Sequence, residues 1–210
     1  MSKLLYIKAS PREGRSHSIK VADAFVEAYK RAHPKDNVEV IDLFNEKIAE
    51  LDLQAVNAKY AIMHGEKASK EELNAWKGVE KHIEQFKFAD KYLFAVPMWN
   101  FGIPYKLKQY IDIIVQPTYT FAFSPESGYS GLITGKPALA IYSRGGEYKP
   151  GTPAENFDFQ KKYFEAFLGF IGFTDIRSIV VEPTLAGGPD MAKAKDKAAI
   201  EKAKNIAPNF

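Results

Sequence analysis

Cysteine is absent from the 210 residues, which excludes disulfides, thiol nucleophiles and cysteine-held zinc or iron–sulfur clusters. Any redox work therefore needs a borrowed cofactor. Histidine is scarce: His17, His33, His64 and His82 show no HxxxH or HxH spacing, so each reads as a surface or loop residue and no metal site is expected. No apolar run approaches the roughly 18 residues of a membrane span. The N-terminus opens into a strand with no charged-then-apolar leader, so a cytoplasmic location is the expectation. An excess of one charge is lacking too: 29 Lys+Arg against 26 Asp+Glu leave +3, and lysines scattered over several helices argue against nucleic acid. There are no repeats and no low-complexity segments. What remains is 46% hydrophobic and 26% charged, an ordinary globular composition, long enough for a sizeable core and read here as one domain over 1–210.

The first eighteen residues organise the rest. Leu4, Leu5, Tyr6 and Ile7 form an apolar run that breaks at Ser10-Pro11-Arg12-Glu13-Gly14-Arg15-Ser16-His17-Ser18. Ile19, Ala22, Val26 and Tyr29 then recur at helical spacing, Lys30, Arg31 and His33 crowd the far end, and Pro34 ends the helix. A helix beginning near Ser16 to Ser18 turns unpaired N–H groups, the positive end of its dipole and the hydroxyls of Ser10, Ser16 and Ser18 towards one small volume. A single serine there is ordinarily a cap. Three serines with two arginines in nine residues, directly after the first strand, point beyond a cap to a phosphate. With one glycine and no Gly-Lys-Ser/Thr ending, the loop matches neither the dinucleotide fingerprint nor the triphosphate loop. Hydroxyl and amide ligands suit a terminal monophosphate.

Further along, the pattern alternates as a βα chain does. A second strand is expected at 38–43, followed by a polar excursion of short helices over 45–69 that serves packing or a dimer contact. Leu73, Trp76, Val79, Ile83 and Phe86 predict an amphipathic helix over 71–88, and 91–96 reads as a third strand, continuously apolar as a doubly covered parallel strand should be. Beyond it lie Pro97-Met98-Trp99-Asn100-Phe101-Gly102-Ile103-Pro104 and a helix over 105–115. A short β-excursion follows over 118–131, then a fourth strand at 137–142, a helix at 157–169, a fifth strand at 176–181 and an Ala/Lys helix from Gly187-Gly188-Pro189 to about residue 207.

Two further loops draw attention. Trp99 and Phe101 bracket Asn100 between prolines; either they plug the sheet end or they line a ligand surface. In a doubly wound sheet of order 2-1-3-4-5, the loops after strands one and three flank the switch point where ligands sit, which favours the ligand surface. After the fourth strand, Ser143-Arg144-Gly145-Gly146 is either a plain turn or a place where backbone amides approach a flat ligand. A hydroxyl-lined monophosphate loop, an aromatic Asn-bearing loop and a Gly-Gly loop form one constellation, and it fits FMN.

These motifs, continued by Leu107-Lys108-Gln109-Tyr110-Ile111-Asp112, resemble the FMN-dependent NADH-azoreductases and NADH:quinone oxidoreductases of bacteria along the whole chain. The resemblance implies a flavodoxin-like α/β fold, a doubly wound five-stranded parallel sheet with helices on both faces, and tightly bound FMN reduced by NADH. It places Ser10, Ser16, His17 and Ser18 at the phosphate, Met98, Trp99, Asn100 and Phe101 at the flavin ring, and Ser143, Arg144, Gly145 and Gly146 at the ring's other edge. It also implies a homodimer with the substrate site at the interface, where Phe121, Phe123 and Phe167 would cover the flavin. Gln116 departs from the arginine of many relatives, so acceptor preference is open at that edge. Quinones and azo compounds are the implied acceptors, by ping-pong two-electron transfer with no protein acid or base required. The alternative is a flavodoxin-type electron carrier that binds FMN without turning over a small substrate. A near-neutral balance and 210 residues speak against that reading.

Overall fold

The computed structural model describes residues 1–210. The central sheet is built from five parallel strands, β1 (Lys3–Lys8), β2 (Asn37–Asp42), β3 (Lys91–Pro97), β6 (Ala138–Ser143) and β7 (Ile176–Val181), in the order β2-β1-β3-β6-β7. Between β3 and β6 in the chain, β4 (Phe121–Ser124) and β5 (Gly128–Gly131) pair antiparallel as a separate hairpin. Counting the parallel strands alone, the order is the expected 2-1-3-4-5.

Alternation along the strands separates two cores. Leu5, Ile7, Phe94 and Tyr142 point to the face covered by α3 (Lys70–Lys87), α4 (Tyr105–Ile114) and α5 (Lys161–Phe170). Leu4, Tyr6, Leu93 and Leu139 point to the other, covered by α1 (His17–Ala32) and α6 (Gly188–Ile206). Because both faces are covered, the inner strands are buried almost from end to end and read as unbroken apolar runs, while the edge strand β2 keeps a half-exposed pattern. Each fully buried aliphatic or aromatic side chain in these layers stabilises the fold by about 1.5–3 kcal/mol.

Two expectations are corrected. The helix expected at 157–169 starts only at Lys161, because Asp158 and Gln160 turn inward to a buried arginine and leave Phe157 and Phe159 outside the helix. His82 is a buried residue on α3, not a surface one, with Nε2 accepting the N–H of Ala49 at 3.2 Å. Phe167 is buried against the core, packed on Phe164 at 5.5 Å between ring centres, and also lines a cavity of about 490 Å³. The 45–69 excursion contains α2 (Leu53–His64), which seats Ala55 and Ala58 against α3 and leaves Leu53, Tyr60, Ile62 and Met63 exposed. No helix is long and apolar enough to cross a membrane.

Candidate functional site

Parallel pairing brings the C-terminal ends of β1, β3 and β6 to one edge of the sheet: Lys8 lies opposite Ala95, and Pro97 opposite Ser143. Their following loops therefore meet.

In the first loop the three serine hydroxyl groups belong to residues that are at most 2% exposed: Ser10, Ser16 and Ser18. Ser16 caps α1, its Oγ accepting from the Ile19 N–H at 3.5 Å, and lies 3.2 Å from the Ser18 Oγ. The N–H groups of His17 and Ser18 make no bond within the chain. The first turn of α1 carries no acidic residue of its own to offset the positive end of a 16-residue helix dipole. The His17 imidazole is drawn sideways, its Nδ1 2.7 Å from Asp196 Oδ1 on α6. That leaves the His17 main chain, and not its Nδ1, facing the cradle.

The second loop is a two-residue hairpin. Trp99 and Gly102 exchange both backbone bonds, at 3.0 and 2.9 Å, with Asn100 at a φ of 46° and Phe101 at 68°. Positive φ at both central residues is the geometry that Asn-Gly satisfies without strain. Phenylalanine in the second position costs about 1–2 kcal/mol. Such strain persists only where the surroundings enforce it, and it gathers at ligand sites. The two aromatics diverge. Trp99 packs with Phe44 and Tyr105 at 5.7 and 6.2 Å, whereas Phe101 stays 46% exposed and leans on Phe157 at 5.1 Å. Phe44 and Tyr105 carried no sequence signal, since each is an ordinary apolar residue until the turn brings Trp99 against both. Met98 is tied to the third loop by its N–H, which donates to the Ser143 carbonyl at 2.8 Å.

In that third loop the Arg144 side chain is withdrawn from the sheet edge. Its guanidinium is buried and committed to Gln160 Oε1 and Asp158 Oδ2, both at 2.9 Å, and to Glu182 Oε2 at 3.3 Å. The Gly145 carbonyl accepts the N–H groups of Leu185 and Ala186 at 3.0 Å each, and a Cβ on this glycine would stand 3.0 Å from the Leu185 Cδ1. The N–H groups of Gly145 and Gly146 have no partner. Lys149 beside Glu147 holds that carboxyl below the usual range, and burial pushes the Tyr142 phenol far above its own, so neither group is tuned to move a proton near neutral pH.

Beside the Trp99 turn opens a cavity of about 770 Å³ lined by Leu51, Trp99, Asn100, Ile103, Tyr105 and Gln109 among others, and a second of about 490 Å³ shares Leu51 and Asp112 with it. Cavities of this size with a mostly apolar wall and a few polar groups hold drug-sized flat molecules. Gln116 is buried on the rim of the second, its Nε2 donating to the Asp112 carbonyl at 2.7 Å and its Oε1 unpartnered.

A family model for the flavodoxin-like fold (Flavodoxin_2) matches residues 2–206. The chain belongs to this flavodoxin-like family. The FMN-dependent NADH:quinone oxidoreductase of Nitratidesulfovibrio vulgaris (strain DP4) is 56% identical to it over 210 residues, covering 100% of each chain. An azoreductase from Bacillus anthracis str. Sterne superimposes with a TM-score of 0.92 at 34% identity, again over 100% of both chains. An FMN-dependent NADH-azoreductase from Bacillus anthracis str. Ames Ancestor, in complex with FMN, superimposes with a TM-score of 0.88 at 29% identity, covering 99% of this chain and 100% of that one.

Proposed function

We propose that the chain is an FMN-dependent NADH:quinone oxidoreductase that also cleaves aromatic azo compounds reductively, in a ping-pong cycle of two-electron transfers. The observation that carries this reading is the meeting of three loops at one sheet edge, one of them an anion-ready helix N-terminus. The residues fit FMN: two free amides and buried hydroxyls for a phosphate, a half-exposed aromatic on an enforced turn, and two more free amides opposite. Ser10, Ser16, Ser18 and the His17 main chain would hold the phosphate. Met98, Trp99, Asn100 and Phe101 would take the ring, with Gly145 and Gly146 at its far edge.

When bound, FMN supplies acceptance of a hydride from NADH and delivery of two electrons to the acceptor. The chain supplies position and field. The Gly145 and Gly146 N–H groups are fixed donors for negative charge on the ring, and being preorganised they need no rearrangement as that charge develops. Trp99, Ile103 and Tyr105 would give flat molecules of many kinds an apolar wall, which suits quinones and azo compounds alike.

The whole chain, 1–210, acts as one FMN-binding domain in the cytoplasm, and the working unit is a homodimer with the active site at its interface. The exposed apolar face of α2 and the exposed Phe123 and Tyr129 of the hairpin support the dimer, being surfaces a monomer leaves wet. Light scattering giving the mass of a single chain at micromolar concentration would contradict it.

Ser16→Asp tests the phosphate assignment without disturbing the helix, because aspartate caps as well as serine. The expected result is an unchanged melting temperature of the apoprotein with FMN affinity lowered at least about tenfold, the effect of one uncompensated repulsion of about 1.4 kcal/mol or more. Wild-type affinity in the variant would remove Ser16 from the cradle.

A further inference from the structure

The Arg144 cluster joins all the ring-side loops. Gln160, wholly buried, accepts from Arg144 Nε at 2.9 Å and donates through Nε2 to the carbonyl of Val96 at 2.8 Å, one residue before the end of β3. Asp158 takes Arg144 Nη2 at 2.9 Å, and with its other oxygen caps the start of α5 by accepting the Lys161 N–H at 2.9 Å. Between these two residues, Phe159 donates its N–H to the carbonyl of Phe101 at 3.1 Å, and so holds the strained turn. On the far side, Glu182 Oε2 accepts from Arg144 Nη1 at 3.3 Å and from the Tyr148 N–H at 3.2 Å, closing the 143–148 loop onto the end of β7. One guanidinium thus fixes the separation between the Asn100–Phe101 turn and the Gly145–Gly146 amides.

We propose that Gln160, acting with Arg144, is a positioning residue that sets flavin affinity and the environment of the flavin ring by holding these two loops in register. This rests on the reading of the site as an FMN site. Gln160 touches neither loop's tip, so its effect travels through Arg144 and the Phe159–Phe101 bond. Its two bonds are irreplaceable by an apolar side chain of equal length: Gln160→Met would leave the Arg144 Nε buried without a partner and strip the Val96 carbonyl of its second donor, the Ser143 N–H of the parallel ladder being the first. Buried polar groups stripped of partners relax by moving, and here what moves carries the ring contacts.

The test is Gln160→Met, with apoprotein titrated with FMN well below its melting temperature, followed by the visible circular dichroism of the bound flavin. The expected result is FMN binding weakened about tenfold or more, with an altered visible dichroism while the far-ultraviolet spectrum stays native. If that variant does not fold, Gln160→Glu decides. It keeps the acceptor for Arg144 and loses the donor to Val96, and the expected outcome is intermediate affinity with altered dichroism. FMN affinity within twofold of wild type and an identical dichroism spectrum, in whichever variant folds, would overturn the proposal. A fall in melting temperature with those two readouts unchanged would mark Gln160 as structural only and overturn it equally. Failure of the wild-type chain to bind FMN would instead strike the underlying function.

Discussion

Phe101 is the residue at which stability and function part company. Its φ of 68° is one that glycine would adopt freely, and nearly half of its surface is open to solvent. Phe101→Gly is therefore expected to leave the melting temperature within a few degrees, strain relief offsetting the lost contact with Phe157, while FMN affinity and quinone turnover both fall. A melting temperature lowered by about 6 °C, on the order of 2 kcal/mol for a chain of this size, with flavin binding intact would make Phe101 a plug for the sheet end. At this scale the sequence was informative where chemistry is local. The helix starts where the serines were expected to mark it, with Ser16 as its cap and Ser10 and Ser18 buried at the same strand end. It was uninformative where partners lie far along the chain. Arg144 reads as a loop cation until Asp158, Gln160 and Glu182 are seen around it, 14, 16 and 38 residues away. Gln160 itself has no periodicity or motif to mark it, and Asp196 meets His17 across 179 residues.

Among the elements, the strands and the longer helices were legible because their apolar periods are long and consistent: α3 was expected at 71–88 and runs Lys70–Lys87, with Ser69 and Glu72 forming a reciprocal capping box. The helix start at Lys161 was not, since its preceding aromatics mimic a helical face. The segment before α2 is held by side chains rather than by secondary structure. His82 accepts the Ala49 N–H, and Gln109 on α4 donates to the Ala49 carbonyl at 3.0 Å, so Leu51 is carried to the wall of both cavities. Only an unprotonated Nε2 can accept that bond. Burial, assisted by the neighbouring Lys81 charge, pulls the His82 pKa below its ordinary 6.5. A folded-state pKa below the unfolded one means that the unfolded chain binds the proton first. Stability from His82 is thus complete above about pH 6.5 and declines as pH falls below it towards the lower folded-state value. Glu46, whose own pKa burial raises, lies close enough to Lys81 to feel its charge, and its protonation shifts in the opposite sense, opposing part of the loss. Denaturant titrations at several pH values between about 4 and 8 should show this decline in the wild type and a shallower one in His82→Gln, whose amide oxygen accepts without titrating. Equal slopes in the two proteins would detach the latch from His82.

For the molecule as a whole, the arrangement follows from topology. Parallel strands joined by helical crossovers bring loop after loop to one edge, and because β1 lies between β2 and β3 in the sheet, the loops after β1 and β3 stand side by side there. Fold class, and the meeting of the three motif loops at one sheet edge, were readable from the order of strands and the loops themselves. What was not readable was which aromatics face a cavity, because burial of an aromatic depends on neighbours that only the folded chain supplies: Phe167 is buried yet lines the second cavity, while Phe101 is half-exposed and lines neither. The +3 net charge leaves association with neutral flat acceptors to shape and apolar contact rather than to steering. The most direct measurement is anaerobic: protein loaded with FMN is given one equivalent of NADH and then one of benzoquinone, with the visible spectrum recorded throughout. The account predicts that the flavin band bleaches in a single two-electron step with NADH and returns in full with quinone. Flavin that binds but stays oxidised in NADH would contradict it and leave an electron carrier in its place.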